Sequence, residues 1–109
     1  MRRVLIPHLY TKYDPITKQN VASIDLKEAQ EYGELMPVLS GNFDPDIALD
    51  TLWQTITETF EREDYILAIG DPLMIGAALA YAADKIAGPI NVLRWDRNRK
   101  AYDVVGFEL

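Results

Sequence analysis

The chain has no cysteine and only one histidine, His8. The first absence excludes disulfides, thiolate metal sites and cysteine nucleophiles, and it suits a reducing compartment. The second excludes any metal site built from several imidazoles. Serine is nearly as scarce. Ser23 and Ser40 are the only two; both fall where turns and caps use them, and neither sits in a G-x-S-x-G elbow. No Gly-Lys-Ser/Thr occurs, so there is no P-loop. The longest apolar stretch, Pro72 to Ala83, is too short to cross a bilayer. The opening Met1-Arg2-Arg3-Val4-Leu5-Ile6-Pro7-His8 has too short an apolar run for a secretory signal. No complete catalytic set remains, and no cofactor, metal or membrane partner is expected.

What is present is a junction used twice. Met36-Pro37-Val38-Leu39-Ser40-Gly41 is followed by Asn42-Phe43-Asp44-Pro45 and a helical pattern. Tyr65-Ile66-Leu67-Ala68-Ile69-Gly70 is followed by Asp71-Pro72 and another. Glycine permits the turn, aspartate accepts from the orphan N–H groups of a starting helix, and proline suits the first helical position. Strand–turn–helix used twice in 109 residues argues for one α/β domain over residues 1–109.

Arg3 to Leu9 reads as a strand, with Pro7 favouring an edge or a strand end. Tyr10 to Ala22 reads as loop. Asp25 with Glu28 resembles a capping box opening a short helix that ends at Gly33. Glu34 to Leu39 is the next strand. Pro45 to about Arg62 is the best-patterned helix, with Leu49, Leu52, Trp53, Ile56 and Phe60 on one stripe. Tyr65 to Ile69 is a short apolar strand. Pro72 to Ala87 is a helix apolar nearly all round. Ile90 to Trp95 alternates, Arg97-Asn98-Arg99 turns, and Ala101 to Phe107 returns. The expected fold is three-layer α/β, a mostly parallel sheet of about five strands with a C-terminal β-hairpin. A chain this short barely covers both sheet faces, so a homodimer is expected, burying part of the Pro72–Ala87 helix or an open sheet edge.

Net charge is −6, unevenly spread. Twelve acidic residues lie from Asp25 to Asp71 inclusive, against Lys27 and Arg62 alone. From Lys85 to Lys100 the balance reverses, with Asp96 the only acid. The acidic total argues against direct nucleic-acid binding. An acidic nucleic-acid mimic would need carboxylates beyond the Pro45 helix, whose Thr51–Thr57 stretch is uncharged.

Two candidate sites follow. Arg94, Trp95, Arg97, Arg99 and Tyr102 interleave arginine with aromatic rings, the residue types that anchor protein partners. Gly41, Asp44, Gly70 and Asp71 would meet at the carboxyl ends of a parallel sheet, where such sheets bind small ligands. There Asp71-Pro72 occupies the place of a dinucleotide fingerprint's glycines, and Asp44 and Asp71 already serve as helix caps.

The pattern Gly70-Asp71-Pro72-x-x-Ile75-Gly76-x-Ala78, with Leu93-x-Trp95-Asp96-Arg97 and Tyr102, resembles that of small proteins encoded by tailed bacteriophages. Leu5-Ile6-Pro7 and the stretch from Asp25-Leu26 to Tyr32-Gly33-Glu34-Leu35 are similar too. The resemblance implies no reaction and no catalytic residue. It implies a phage product acting in the host cytoplasm. The expected function is that of an accessory or regulatory protein that binds a host or phage protein without catalysis. The alternative is a small nucleotide- or ligand-binding α/β module, at most a weak Mg²⁺-dependent enzyme.

Overall fold

The structure, a computed structural model, describes residues 2–108. Its elements run β1 (Arg3–Leu9), β2 (Thr11–Asp14), β3 (Gln19–Ala22), a 3-10 helix (Glu28–Tyr32), β4 (Glu34–Ser40), α1 (Pro45–Thr59), β5 (Tyr65–Leu67), α2 (Pro72–Lys85), β6 (Ile90–Asp96) and β7 (Ala101–Phe107). The main sheet has the order β4-β1-β5-β6-β7. All its pairs are parallel except β6 with β7.

Both Asp-Pro junctions start helices as their chemistry dictates. The Asp44 carboxylate accepts from the N–H groups of Asp46 and Ile47, and that of Asp71 accepts from the N–H of Leu73. Pro45 and Pro72 take the first helical positions. In α1 the hydroxyls of Thr51, Thr55 and Thr59 each donate to the carbonyl four residues back. That bonding accommodates residues with weak helix propensity. The buried stripe is Ala48, Leu52 and Ile56, continued by Phe60 just past the helix. Trp53, expected on that stripe, is instead half-exposed and lies on the outer surface of α1.

The two α-helices share one face of the sheet. Leu5, Ile66, Ile90 and Val92 meet Ala48, Leu52, Ile56, Met74, Ala78 and Ala82 there. The opposite face gathers Val4, Ile6, Leu67 and Leu93 under Leu26, Ala29 and Tyr32. Its cover is only the 3-10 helix and its flanks, a much thinner layer than the helix pair.

Three local expectations are corrected. Residues 11–22 are not loop but the hairpin β2–β3, closed by a turn in which Asp14 Oδ1 accepts from the N–H of Ile16 and Lys18 has φ 56°. Asp25 accepts from the N–H of Lys27 in an Asx turn, and no side chain caps the helix that follows. Pro7 lies in a central strand. β1 pairs with β5 only at Val4 and Leu5, so Pro7 is past the end of that ladder, where its missing N–H breaks no pair. Burial of the linking segment also recruits Asp64. Fully buried, its carboxylate accepts from the N–H groups of Arg3 at 2.9 Å and Glu61 at 2.8 Å, tying the start of β1 to the turn before β5.

Candidate functional site

The chain passes from β1 outward to β4, then back across β1 to β5 and β6. The carboxyl ends of β1 and β5 therefore diverge, which is where open α/β sheets form a crevice. Here that crevice is filled by His8, 1% exposed. Its Nε2 lies 2.7 Å from the carbonyl oxygen of Gly41, and its Nδ1 accepts from the N–H of Asp71 at 3.0 Å. A nitrogen that accepts carries no proton, so the neutral ring is the Nε2–H tautomer, donating to Gly41. The rings of Tyr10 and Phe43 meet the imidazole edge-on, with centroids 4.6 and 4.9 Å away.

The imidazole thus joins the two glycine junctions. Gly41, Gly70 and Asp71 do come together around it, with Asp44 one residue beyond Phe43. Both imidazole nitrogens bond within the protein, and the Asp44 and Asp71 carboxylates each use Oδ1 to cap a helix. Among the described residues, no three of His, Asp and Glu form a metal-ligating cluster. Nothing local in the sequence marks His8 for this role. Its role depends on contacts 33 and 63 positions away, and only its place at the strand end before a switch point could have pointed to it.

The arginine-aromatic set divides between two faces. β6 alternates, so Arg94 lies on the helix-covered face with Ile90 and Val92, while Trp95 shares the other with Leu93. Arg94 pairs with Asp103 at 3.3 Å. Arg99 pairs with Asp96 at 3.0 Å and also with Asp103. Asp96 further accepts from the N–H groups of Asn98 and Arg99, which fixes the turn. Arg99's guanidinium, then these two N–H groups, hold the Asp96 carboxyl below its usual 3.8. Arg97 is exposed on the turn.

Trp95 stands opposite Tyr102 across the hairpin, ring centroids 5.0 Å apart and edge-to-face. Tyr102 also meets Tyr32, which meets Tyr65. Beside this row lies a groove of about 500 Å³ lined by Ile24, Asp25, Glu28, Ile69, Trp95, Lys100 and Tyr102. Its volume is within the ~300–1,000 Å³ range of small-ligand sites. Partial burial raises the Tyr102 phenol above its ordinary 10.0, and the charges of Glu28 and Asp25 push it the same way. The wall beside the phenol is therefore electronegative. Ile24, Asp25, Glu28, Ile69 and Lys100 were not among the residues expected to form a site. They come from three separate segments, and only folding the 3-10 helix onto β6 and β7 assembles them.

Comparison with known families decides the context. The family described as Phage Pam3 gp32-like protein matches residues 2–109. The chain belongs to that family. No curated protein and no solved structure matches it. A Phage Pam3 gp32-like chain is a small phage protein, as the resemblance to small tailed-phage proteins implied. Among the described residues no helix is long and apolar enough to cross a membrane.

Proposed function

We propose that the protein is a phage accessory protein that acts by binding another protein, host or phage, without catalysis. We place its contact site at the groove between the 3-10 helix and the β6–β7 hairpin, and its occupant is a segment carrying a basic residue beside an apolar one. The observation that carries this reading is the composition of the groove. Trp95 and Tyr102 offer ring faces and edges, Ile24 and Ile69 offer apolar wall, and Asp25 and Glu28 set the sign of the charge. Aromatic faces with nearby carboxylates attract ammonium and guanidinium groups, and Trp and Tyr are the usual anchors of protein interfaces.

Phage family membership supports the accessory role. The alternative small-ligand site at Gly41, Asp44, Gly70 and Asp71 has less to support it, because His8 and its two aromatic neighbours fill the space between the junctions. The arginines also count for less than the aromatics, since Arg94 and Arg99 already bind carboxylates of their own chain.

The test uses Trp95 fluorescence in a Trp53→Phe background, which leaves one tryptophan. Short peptides with Lys or Arg next to Leu should change the emission saturably, with affinity falling as salt rises. Asp25→Asn with Glu28→Gln should weaken that binding. Matched acidic peptides should do nothing. If basic and acidic peptides behave alike, or neither perturbs Trp95, the reading fails.

A further inference from the structure

The two edges of the main sheet differ. β4 carries Pro37, which removes a donor, and Glu34 at its start. These are the usual devices by which an edge resists pairing. β7, Ala101-Tyr102-Asp103-Val104-Val105-Gly106-Phe107, has neither proline nor lysine within it, and its one charge, Asp103, is drawn into ion pairs with Arg94 and Arg99 of its own chain. It is seven residues long, and Val104, Val105 and Phe107 are substantially exposed. A long apolar edge of this kind is a template for another strand.

We infer that β7 pairs antiparallel with β7 of a second copy, about a two-fold axis passing through Val104. Charge selects this occupant. The basic turn, ending at Lys100, lies just before β7 and the acidic Glu108 just after it. Antiparallel pairing of two copies brings each basic end against the partner's acidic end.

The side chains select the register. Residues directly opposite must lie on the same sheet face, so under an axis normal to the sheet the paired numbers sum to an even value. A sum of 206 would set Asp103 against the partner's Asp103, placing like charges directly opposite. A sum of 210 would set Asp103 against the partner's Phe107 and Tyr102 against the partner's Glu108. The sum of 208 places Val104 on the partner's Val104, Ala101 on the partner's Phe107 and Tyr102 over the partner's Gly106; it sets Asp103, whose charge Arg94 and Arg99 already hold, against the partner's Val105, and it brings Lys100 at the end of the turn near the partner's Glu108. An aromatic ring over a cross-strand glycine is a known stabilising device in sheets.

Two consequences follow. The two five-stranded sheets become one of ten strands, and because the axis keeps faces together, both grooves open on the same side. Lys100, the only cation on the groove wall, is neutralised across the axis, which makes each groove a better site for a basic segment. This last consequence rests on the reading proposed above; the dimer itself does not.

The absence of cysteine gives a clean test. Opposite Cα atoms in an antiparallel pair are about 4.5–5.5 Å apart, inside the disulfide range of roughly 4.4–6.8 Å. Under mild oxidation Val104→Cys should therefore form a covalent dimer. Asp103→Cys and Val105→Cys lie two residues out of register with themselves, about 8 Å apart, and should not. Light scattering of the wild type should give twice the monomer mass at micromolar concentration, and Val104→Lys should give a folded monomer with the wild-type circular dichroism. Lys100→Glu and Glu108→Lys should each weaken the dimer by roughly tenfold or less, and the double exchange should restore it. A monomeric wild type overturns the inference. So does a dimer in which Val104→Cys cross-links no better than its neighbours, since that dimer would use another surface. Peptide binding to the groove is read separately, by Trp95 emission in the Trp53→Phe protein with Val104 unchanged, so the two readings fail independently.

Discussion

Gly70→Ala tests how tightly the two junctions are held together. Gly70 has φ +107°, and a Cβ placed on it would lie 2.7 Å from the Cβ of His8, 2.8 Å from its carbonyl carbon and closer still to its carbonyl oxygen. These are mostly backbone atoms of a central strand, and they cannot swing aside as a side chain can. The backbone conformation alone costs an L-residue about 1–3 kcal/mol. Forcing the extra atom against packed backbone adds about 1–3 kcal/mol. The expected loss is about 4 kcal/mol, a large part of the ~5–15 kcal/mol that holds a domain together. At about 4–8 °C per kcal/mol for a domain near this size, melting falls by roughly 15–30 °C.

Two other glycines provide the controls. Gly41 has φ +67°, and the nearest atom to its added Cβ is Thr11 Oγ1 at 3.4 Å, an ordinary contact. Gly41→Ala should cost only the conformational term, about 1–2 kcal/mol. Gly76 lies inside α2 with nothing within 4 Å of an added Cβ. Gly76→Ala should stabilise by about 0.5–1 kcal/mol, through helix propensity and a less flexible unfolded chain. Urea unfolding of the three variants orders them. If Gly70→Ala unfolds at the same midpoint as Gly41→Ala, the contact with the His8 backbone carries no weight and the argument is wrong.

Three further outcomes are expected. Asp64→Ala should cost about 2–4 kcal/mol in urea unfolding, because the N–H groups of Arg3 and Glu61 lose a buried carboxylate; Asp64→Asn, which retains one acceptor oxygen, should lose less. Asp96 is held below 3.8 by Arg99 and two backbone N–H groups, so its contribution is present above 3.8 and disappears as pH falls through its lower folded value; carboxyl NMR should show it titrating below 3.8, and Arg99→Ala should move it back up. Tyr102 is raised by burial and then by Glu28 and Asp25, so stability is unaffected by this group below pH 10.0 and declines as pH rises past it; ring NMR should show late ionisation, shifted toward the ordinary value in Glu28→Gln.

Local chemistry made most of the elements legible in the sequence. Asp44-Pro45, Asp71-Pro72, Gly33 and the Arg97–Lys100 turn mark boundaries through capping, fixed φ and turn preference, and each needs only its neighbours. The mostly parallel five-stranded sheet with its antiparallel last pair followed from those boundaries. The β2–β3 hairpin gave no such signal. It is part-exposed along its length, so no apolar alternation develops, and its turn uses Lys18 where hairpins favour glycine. Trp53 was misplaced because periodicity gives the width of an apolar stripe but not where the sheet ends beneath it. The placement of both α-helices on one face is likewise set by tertiary packing and cannot be read from either helix alone.

The division of the arginine-aromatic segment between two faces is legible in the sequence. Strict alternation in β6 already put Arg94 and Trp95 on opposite faces, yet a short run of arginine and aromatic residues reads as one patch. Folding separates them, and the two faces differ in the sign of charge they favour. On one face Arg94 and Arg99 are satisfied by Asp103 and Asp96. Exposed pairs of this kind add little to stability, so their importance is that they neutralise the charge, not that they hold the fold. An anionic partner would have to displace those carboxylates and would gain little net attraction. On the other face Trp95 and Tyr102 border Asp25 and Glu28, whose carboxylates form no ion pair among the described residues. The one cation beside them is Lys100, which pairs with neither carboxylate among the described residues. The chain's most basic segment therefore presents, on its aromatic side, a surface suited to binding positive charge.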